Sequence, residues 1–460
     1  MRKYDIPESV IFFDKTIDLS NKLIQILKNY QYQDPLFICG TNSYKELGEE
    51  IFKQCKSVLI DSELIIAPEI NKEFIRNDLA QEYLKSQSPI IGIGGGKILD
   101  FAKYLSFKTK RTFISIPSNA AHDGIFSPIS VIAGFSLGSK MPDHLMISLN
   151  TLEKAPLISI QAGIGDLIAN FTAINDCYIS QAFKEVMKNE IFHHGLSGEE
   201  VKDPLPELGF IPRSGSKNAK NSIFQRILKD KDGNAEIGVR KQSNKGTVTE
   251  RASSRLRRMN DRSVLQVHED HEDDENAEIG VREQCQEAIN LAYQGSIELI
   301  DLIYASQSNN GVVVESIKPN LELLHSTKFL RQFIRSLVLS GMAMYYANNS
   351  SPCSGSEHMI SHAIDAIYGH GVKAAHGIQV AIASYFIYPQ QLEVLKKINQ
   401  SPERIINFEE LFNLLKLPKS FQEIDISNDE LGYILALAPK TRANKFSILN
   451  LKDNHLKISN

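Results

Sequence analysis

The segment PIIGIGGGKILD, residues 89–100, decides how the first part of this chain folds. It begins with a bounded apolar run of the kind that forms a buried strand, and the residues after its glycines have helical periodicity. Consecutive glycines let backbone N–H groups approach a phosphate closely, and the positive end of the following helix lies at the same place. The order of strand, glycines and helix therefore predicts a nucleotide-phosphate site, with Asp100 capping the loop or packing beside it. The alternative is a purely structural tight turn.

Other short apolar runs, separated by amphipathic stretches, lie on both sides of this segment, at 35–40, 57–67 and 112–118. Short buried strands that alternate with helices predict βαβ units and a parallel sheet. We therefore expect an α/β protein with a Rossmann-like, parallel-sheet domain over residues 1–150. Strand signals become sparse after this point and helical periodicity dominates, so residues 151–460 are expected to form an all-helical domain.

The stretch from about 187 to 284 fits neither domain, because it is rich in charge and poor in apolar residues. A basic cluster, RLRRMNDR at 255–262, precedes an acidic run, HEDHEDDE at 268–275, and the sequence NAEIGVR occurs at 234–240 and again at 276–282. Low hydrophobicity with separated blocks of charge predicts a disordered surface insertion in the helical domain. A docking arm for a partner and an artefact of the gene model are the alternatives.

The composition limits the class of protein. The 51 Lys and Arg residues against 55 Asp and Glu residues leave a net charge of −4, which argues against bulk nucleic-acid binding. The five cysteines show no CxxC spacing, so neither a disulfide framework nor a cysteine zinc site is expected. The N-terminal stretch lacks the apolar core of a signal peptide, and no apolar run approaches the roughly 18 residues that span a bilayer. We therefore expect a cytoplasmic protein without a membrane span.

A second candidate ligand loop is IPSNAAHDGIFSP, residues 116–128, which follows a predicted strand. It brings Ser118, Asn119, His122, Asp123 and Ser127 together at a strand end, where α/β proteins bind their ligands. The alternative is a loop that is polar only because it is exposed.

Four dispersed side chains are candidates for a metal site. His358 and His362 are four residues apart, so a helix places them on one face. Either of them, with His376 and a carboxylate such as Asp166, makes a site of three nitrogen and oxygen ligands that keeps room for a substrate, as in catalytic metal sites. Solvent-facing or core histidines are the alternative, and His370 competes for the same role.

Six motifs together resemble the sn-glycerol-1-phosphate dehydrogenase family, in the same order along the chain: GGGKILD, PSNAAHDGIFSP, GIGD, SGSEHMISHAID, AAHGIQV and TRANKFSIL. This family belongs to the superfamily of iron-containing alcohol dehydrogenases, glycerol dehydrogenases and dehydroquinate synthases. The resemblance covers roughly 1–186 and 285–460, and the HDGxxSP pattern at 122–128 resembles the glycerol-1-phosphate branch more than its siblings.

The resemblance implies roles for individual residues. It implies that Asp166, His358 and His376 bind one divalent metal, usually zinc, with nickel or iron also compatible with these ligand types. It implies catalytic and substrate-binding roles for Asp123 and His362, with Asp166 contacting both metal and substrate. The implied contacts to NAD(H) or NADP(H) are made by Gly94, Gly95, Gly96, Lys97, Asp100, Ser118, Asn119, Ala120, Ala121 and Ser127.

The implied reaction is the reversible, metal-dependent reduction of dihydroxyacetone phosphate to sn-glycerol 1-phosphate by NAD(P)H, which supplies the backbone of archaeal-type ether phospholipids. The resemblance also implies a homo-oligomer. Alternatives on the same fold are a cyclase resembling dehydroquinate synthase and a dehydrogenase of glycerol or another polyol. A catalytically idle scaffold that uses the charged insertion is a further alternative.

The chain departs from the family pattern at three places. The family usually has Thr and Ser at the positions of Ser118 and Ala121, and the interval between His358 and His376 is slightly longer than expected. The family usually has an Arg-Pro pair where this chain has Ser351-Pro352, which removes a cation close to the metal-binding motif. The missing cation is the reason to keep an unphosphorylated polyol among the candidate substrates.

Overall fold

The computed structural model describes residues 4–32, 34–59, 61–66, 87–132, 135–193, 275–307 and 321–451. The strands are β1 (Val10–Phe13), β2 (Leu36–Cys39), β3 (Glu63–Ile66), β4 (Ile90–Gly94), β5 (Phe113–Pro117), β6 (Ile129–Ile132), β7 (Phe135–Gly138) and β8 (His144–Ser148). Six of these described strands form a sheet in the order β1-β8-β5-β4-β2-β3, and every pair in it is parallel. The strands β6 and β7 form a separate antiparallel pair. The predicted parallel sheet is confirmed.

The central strand β4 is buried along its whole length, because helices cover both faces of the sheet. The helices of this part are α1 (Thr16–Asn29), α2 (Thr41–Ser43), α3 (Glu49–Val58) and α4 (Gly96–Thr109), with a π-helical turn at Tyr44–Gly48 between α2 and α3. One apolar cluster joins the sheet to α1 and α3, and another joins it to α4. This arrangement of a parallel sheet between two layers of helices is what the βαβ pattern predicts.

The rest of the described chain is helical, as predicted. Its helices are α5 (Leu149–Glu153), α6 (Leu157–His193), α7 (Glu275–Gln307), α8 (Thr327–Tyr346), α9 (Ser356–Tyr368), α10 (His376–Lys397), α11 (Phe408–Leu415) and α12 (Asn428–Thr441). Short 3₁₀ turns occur at Asp123–Ile125, Leu321–His325, Ser351–Cys353, Phe421–Ile424 and Ile448–Asn450. The division into domains at about residue 150 stays a prediction.

The helix α6 lies at the centre of the helical part and packs against α10 and α7. Its segment Leu157–Phe183 has the length and apolar composition of a membrane span, but 83% of its most apolar window is buried inside the protein. Burial by neighbouring helices explains this composition, since a helix that is apolar on all sides must be covered on all sides.

The described helices extend into both ends of the predicted insertion. The backbone is helical to His193 at the end of α6 and from Glu275 at the start of α7, so the expectation of irregular chain is wrong at 187–193 and 275–284. Both ends contain good helix formers such as Glu, Lys, Met and Gln, which accounts for helical backbone in a stretch of low apolar content. Residues 194–274, with the charge blocks and the first copy of the repeat, lie outside the described residues.

Candidate metal and cofactor site

Asp166, His358 and His376 converge from three different helices. Asp166 lies on α6, His358 in the first turn of α9, and His376 is the first residue of α10. Each offers one ligand atom, and these three atoms all lie within 4.8 Å of one another. The Nε2 atom of His358 is 3.3 Å from Oδ1 of Asp166. The structure therefore brings together the three side chains that the motifs predict as metal ligands.

Glu357 orients the ring of His358. The Nδ1 atom of His358 donates to Oε1 of Glu357 at 2.9 Å, and the other oxygen of this fully buried carboxylate accepts from the hydroxyl of Thr172 at 2.9 Å. Because Nδ1 carries the donated proton, the neutral ring presents the lone pair of Nε2 towards Asp166. A carboxylate behind a histidine is the usual support of a metal ligand.

A chain of three hydrogen bonds fixes the tautomer of His376. The amide nitrogen of Gln379 donates to Oδ1 of Asp365 at 3.1 Å and to the carbonyl of Ala374 at 3.0 Å, so its oxygen faces Ser361. The hydroxyl of Ser361 donates to that oxygen at 2.7 Å. Nδ1 of His376, 2.8 Å from the Ser361 oxygen, must then be the donor of their hydrogen bond. The lone pair of His376 is left on Nε2, the atom that a metal would need.

The charges of the three side chains fit a cation at their centre. Burial, and then the charge of His358, lower the pKa of His376 to about 3, so this ring is neutral at physiological pH. Burial alone would raise the pKa of Asp166, but the hydrogen bond and charge of His358 lower it to about 2. Burial would lower the pKa of His358, yet its hydrogen bonds to Asp166 and Glu357 raise it. An ionised carboxylate facing two imidazole nitrogens suits a divalent metal.

Asp123 and His362, the predicted substrate residues, lie beside this group. The backbone N–H of Asp123 donates to Oδ2 of Asp166 at 2.9 Å, and its carboxylate accepts from the hydroxyl of Ser340 at 2.7 Å. Burial, and then the charge of Asp166, raise the pKa of Asp123 to about 7. The ring of His362 lies 5.9 Å from that of His376, and its Nε2 accepts from Arg442 at 2.8 Å.

The bond from Arg442 defines the state of His362. A guanidinium only donates, so Nε2 of His362 carries no proton and Nδ1 carries one. Burial, and then the charge of Arg442, keep the pKa of His362 well below its usual range. His362 is therefore a neutral ring with one N–H donor.

The glycine segment has the predicted strand–turn–helix geometry. β4 ends at Gly94, α4 begins at Gly96, and no side chain caps the N-terminus of α4. A Cβ atom on Gly95 would lie 2.9 Å from the amide nitrogen of Asn119, and one on Gly96 would lie 1.8 Å from Nε2 of His122. The loop after β5 is thus packed directly on the glycine loop, and a side chain at Gly95 or Gly96 would have to displace Asn119 or His122.

The remaining predicted cofactor residues support this pair of loops. The carboxylate of Asp100 is 3.1 Å from Nζ of Lys103 and accepts from the N–H of Val131 at 2.9 Å, so these contacts join α4 to β6. The hydroxyl of Ser127 donates to the carbonyl of Ile129 at 3.3 Å. Of the others, Ser118 and Ala120 are buried, Ala121 is half-buried and Lys97 is exposed. Direct contact of these residues with a dinucleotide stays a prediction.

Sequence reasoning missed the side chains that surround the predicted ligands. Glu357 precedes His358 directly in the SGSEHMISHAID motif, and this adjacency is a signal that sequence alone offers. Gln379 offers no such signal, because it resembles any polar residue of a helix. Arg442 lies in the motif TRANKFSIL, and the family resemblance implies no specific role for the residues of this motif. His370, the competing histidine, is mostly exposed, bonds to Asp365 at 2.6 Å, and does not belong to the three-residue group found among the described residues.

Comparisons with known proteins first define the class. The family described as "Iron-containing alcohol dehydrogenase" matches residues 16–156. The fold is similar to that of a probable glycerol dehydrogenase from Sinorhizobium meliloti 1021, with a TM-score of 0.52, 12% identity, and coverage of 99% of this chain and 92% of that one. It is also similar to an iron-containing alcohol dehydrogenase from Corynebacterium glutamicum, with a TM-score of 0.50, 11% identity, and coverage of 97% and 91%. The fold of this chain is therefore similar to that of glycerol dehydrogenases and iron-containing alcohol dehydrogenases.

Sequence relatives point to one branch. A glycerol-1-phosphate dehydrogenase (NAD(P)+) of Methanococcus maripaludis, strain C6, is 23% identical over 93% of this chain and 87% of that protein. One of Hyperthermus butylicus is 22% identical over 98% and 94%, and one of Metallosphaera sedula is 33% identical over 37% and 51%. These relatives confirm the predicted resemblance to the glycerol-1-phosphate dehydrogenase family, and with it the class of oxidoreductase.

Proposed function

We propose that this protein catalyses the reversible, metal-dependent reduction of dihydroxyacetone phosphate to sn-glycerol 1-phosphate by NAD(P)H, for archaeal-type ether phospholipids. The observation that carries the proposal is the hydrogen bond from the backbone of Asp123 to Asp166. It joins the HDGIFSP loop, whose pattern is typical of the glycerol-1-phosphate branch, to the candidate metal ligands. The sequence relatives from Methanococcus maripaludis and Hyperthermus butylicus, which are glycerol-1-phosphate dehydrogenases, support the same substrate.

Asp166, His358 and His376 would hold the metal in this proposal. Zinc is the metal we favour, because catalytic zinc sites combine three imidazole or carboxylate ligands with an open position, while nickel and iron accept the same donors. When bound, the metal supplies Lewis acidity to the carbonyl group of the substrate. Glu357 and Ser361 hold the two rings in the tautomers that ligation needs.

The dinucleotide would lie on the paired loops after β4 and β5. The uncapped N–H groups at the start of α4 suit the pyrophosphate, because a helix N-terminus offers both free donors and positive potential. Ser118, Asn119, Ala120 and Ala121 then line the adjoining loop towards the nicotinamide. The protein contributes to hydride transfer by holding the nicotinamide in a fixed position relative to the substrate.

Asp123 and His362 have complementary tasks in the proposed reaction. The carboxylate of Asp123, which already accepts from Ser340, can accept a hydrogen bond from a substrate hydroxyl. His362 stays neutral and offers its Nδ1 proton as a hydrogen-bond donor to a substrate oxygen. Together they orient the three-carbon chain beside the metal ligands.

A single assay tests the proposal. Purified protein of measured metal content is mixed with NADH or NADPH and, in parallel, dihydroxyacetone phosphate or dihydroxyacetone. We expect cofactor oxidation with the phosphate, its loss after chelation and its return on adding metal. No metal-dependent oxidation with either cofactor would overturn the proposal, and preference for dihydroxyacetone would instead indicate the polyol dehydrogenase. A homo-oligomer in the cytoplasm is also proposed, and light scattering of the eluted protein checks the oligomeric state.

A further inference from the structure

Arg442 and Lys445 form a cluster of two cations next to the candidate active site. Nη1 of Arg442 donates to the hydroxyl of Ser354 at 2.6 Å and to that of Ser350 at 3.3 Å. Nζ of Lys445 donates to the same Ser350 hydroxyl at 3.1 Å and to the carbonyl of Ser354 at 2.6 Å. The two cations therefore share one pair of serines.

The cluster has no negative partner in the described part of the chain. No described carboxylate forms an ion pair with Arg442 or Lys445, although other surface and buried cations do so. Glu357 is the carboxylate whose charge reaches both, but its oxygens are already bonded to His358, Gly355 and Thr172. Arg442 and Lys445 are half-buried, and two adjacent cations that have lost part of their hydration without gaining an anion are costly, so this arrangement favours an anionic ligand.

The position of the cluster limits what that anion can be. Nη2 of Arg442 donates to Nε2 of His362, whose ring in turn lies 5.9 Å from that of His376. One imidazole ring thus separates the cations from the candidate metal ligands. A small molecule whose carbonyl lies at the metal ligands would place an anionic group a few bonds away at the cluster.

We infer that Arg442, Lys445 and the hydroxyls of Ser350 and Ser354 bind the phosphate group of the substrate. The inference rests on the proposed function and names the part of the site that selects a phosphorylated ketone over an unphosphorylated one. A guanidinium fork, an ammonium and hydroxyl donors match the several acceptor oxygens of a phosphate dianion. The family usually has an arginine at the position of Ser351. Arg442 and Lys445, which both bond to the neighbouring Ser350, supply positive charge close to that position.

The test uses Lys445→Met, because Arg442 also contacts His362 and its loss would disturb both residues. We expect the KM for dihydroxyacetone phosphate to rise about 10- to 100-fold, since a charge-assisted hydrogen bond is lost. Any turnover of dihydroxyacetone should change less than about twofold, because that molecule has no phosphate, and Lys445→Arg should retain most of the affinity for the phosphorylated ketone. Lys440→Met, which removes an exposed lysine from the last turn of α12, just before the Arg442–Lys445 cluster, is the matched control.

A binding measurement separates failure of the inference from failure of the proposed function. Calorimetric titration of the metal-loaded protein with inorganic phosphate should show binding in the wild type and in Lys440→Met, and a loss of at least about tenfold in Lys445→Met. If the wild type reduces dihydroxyacetone phosphate but Lys445→Met keeps its KM, the inference is wrong and the proposed function stands. If the wild type reduces neither ketone while phosphate binding still depends on Lys445, the proposed function fails and the anion site stands.

Discussion

The backbones of Gly165 and Gly377 are in contact: a Cβ atom on Gly165 would lie 2.2 Å from the carbonyl oxygen of Gly377. Each glycine is the neighbour in sequence of a candidate ligand, Asp166 on α6 and His376 on α10. Two helices can approach this closely only where neither has a side chain. The glycines in the GIGD and AAHG motifs therefore set the distance between a carboxylate and an imidazole that would share a metal.

Gly377→Ala should weaken metal binding without removing a ligand. The added carbon would meet the carbonyl oxygen of Ala162 at 1.9 Å, and backbone cannot rotate away, so α10 must shift. We expect a loss of metal affinity of at least about tenfold and of stability of about 1–3 kcal/mol. Gly432→Ala is the control, since it lies in α12 with no atom within 4 Å and should stabilise the protein by about 0.5–1 kcal/mol. Unchanged metal affinity in Gly377→Ala would contradict the argument.

His376→Ala should lose bound metal and turnover together, whereas His370→Ala should keep both. Both residues are histidines of the same segment, but the three-residue group contains His376, while His370 is mostly exposed and bonded to Asp365. Elemental analysis of the purified variants and the initial rate with dihydroxyacetone phosphate provide the measurement. A His376→Ala protein that retains stoichiometric metal would refute the ligand set.

Gln379→Leu should lower metal affinity although Gln379 is not a candidate ligand. The variant removes the acceptor of the Ser361 hydroxyl, so that hydroxyl can turn its proton towards His376 and permit the wrong tautomer. We expect about 10- to 100-fold weaker metal binding, as is typical when the group behind a ligand is lost. Ser361→Ala breaks the same chain, so the double variant should lose little more than either single variant. Fully additive losses, measured by competition with a chelator, would rule out the shared pathway.

Local signals predict the β4–glycine–α4 unit, because its strand, turn and helix are neighbours in the sequence. The strands β1 and β8 are not predicted: they have four and five residues, and each pairs with the other across more than a hundred residues. The metal ligands are found from motifs, whereas the contact between Arg442 and His362 spans 80 residues and depends on how α12 packs on α9. Sequence patterns predict individual helices, strands and turns. Contacts between residues far apart in the sequence can be identified only from the three-dimensional structure.

Lys103→Met should destabilise the protein and weaken dinucleotide binding. The fully buried Lys103 pairs with Asp100 at 3.1 Å and donates to the carbonyls of Gly124 and Ser127 at 2.8 and 3.1 Å, so it ties α4 to the HDGIFSP loop. Its loss leaves a buried carboxylate without a cation, which costs about 3–5 kcal/mol.

Two further variants separate charge from shape at this position. The double variant Asp100→Asn, Lys103→Met should recover part of the lost stability, because it no longer buries an unpaired charge. Lys108→Met, an exposed position on the same helix, should change stability by less than about 0.5 kcal/mol. Chemical denaturation and a fluorescence titration with NADH report the two effects, and wild-type values for Lys103→Met would contradict the assigned role of the lysine.

The stability that Lys445 contributes should rise with pH. Burial, and then the charge of Arg442, lower the pKa of Lys445 from 10.5 to about 7, while Glu357 acts in the opposite direction. The thiols of Cys177 and Cys353, which face the same ammonium, have pKa values raised by burial and stay neutral. Between these two pKa values of Lys445 the unfolded chain binds more protons than the folded one, so the free energy of unfolding increases with pH.

Denaturation of the wild type and of Lys445→Met at pH 7 and pH 9, in buffers without phosphate or sulfate, measures this difference. Titration of the metal ligands is common to both proteins and cancels. We expect the wild type to gain about 1–2 kcal/mol over the variant across this interval, which is less than the full shift allows because the side chain is partly exposed. Saturating inorganic phosphate should remove the gain, since a bound anion favours the protonated amine. A difference that stays flat with pH would mean that Lys445 keeps its proton in the folded protein without any anion.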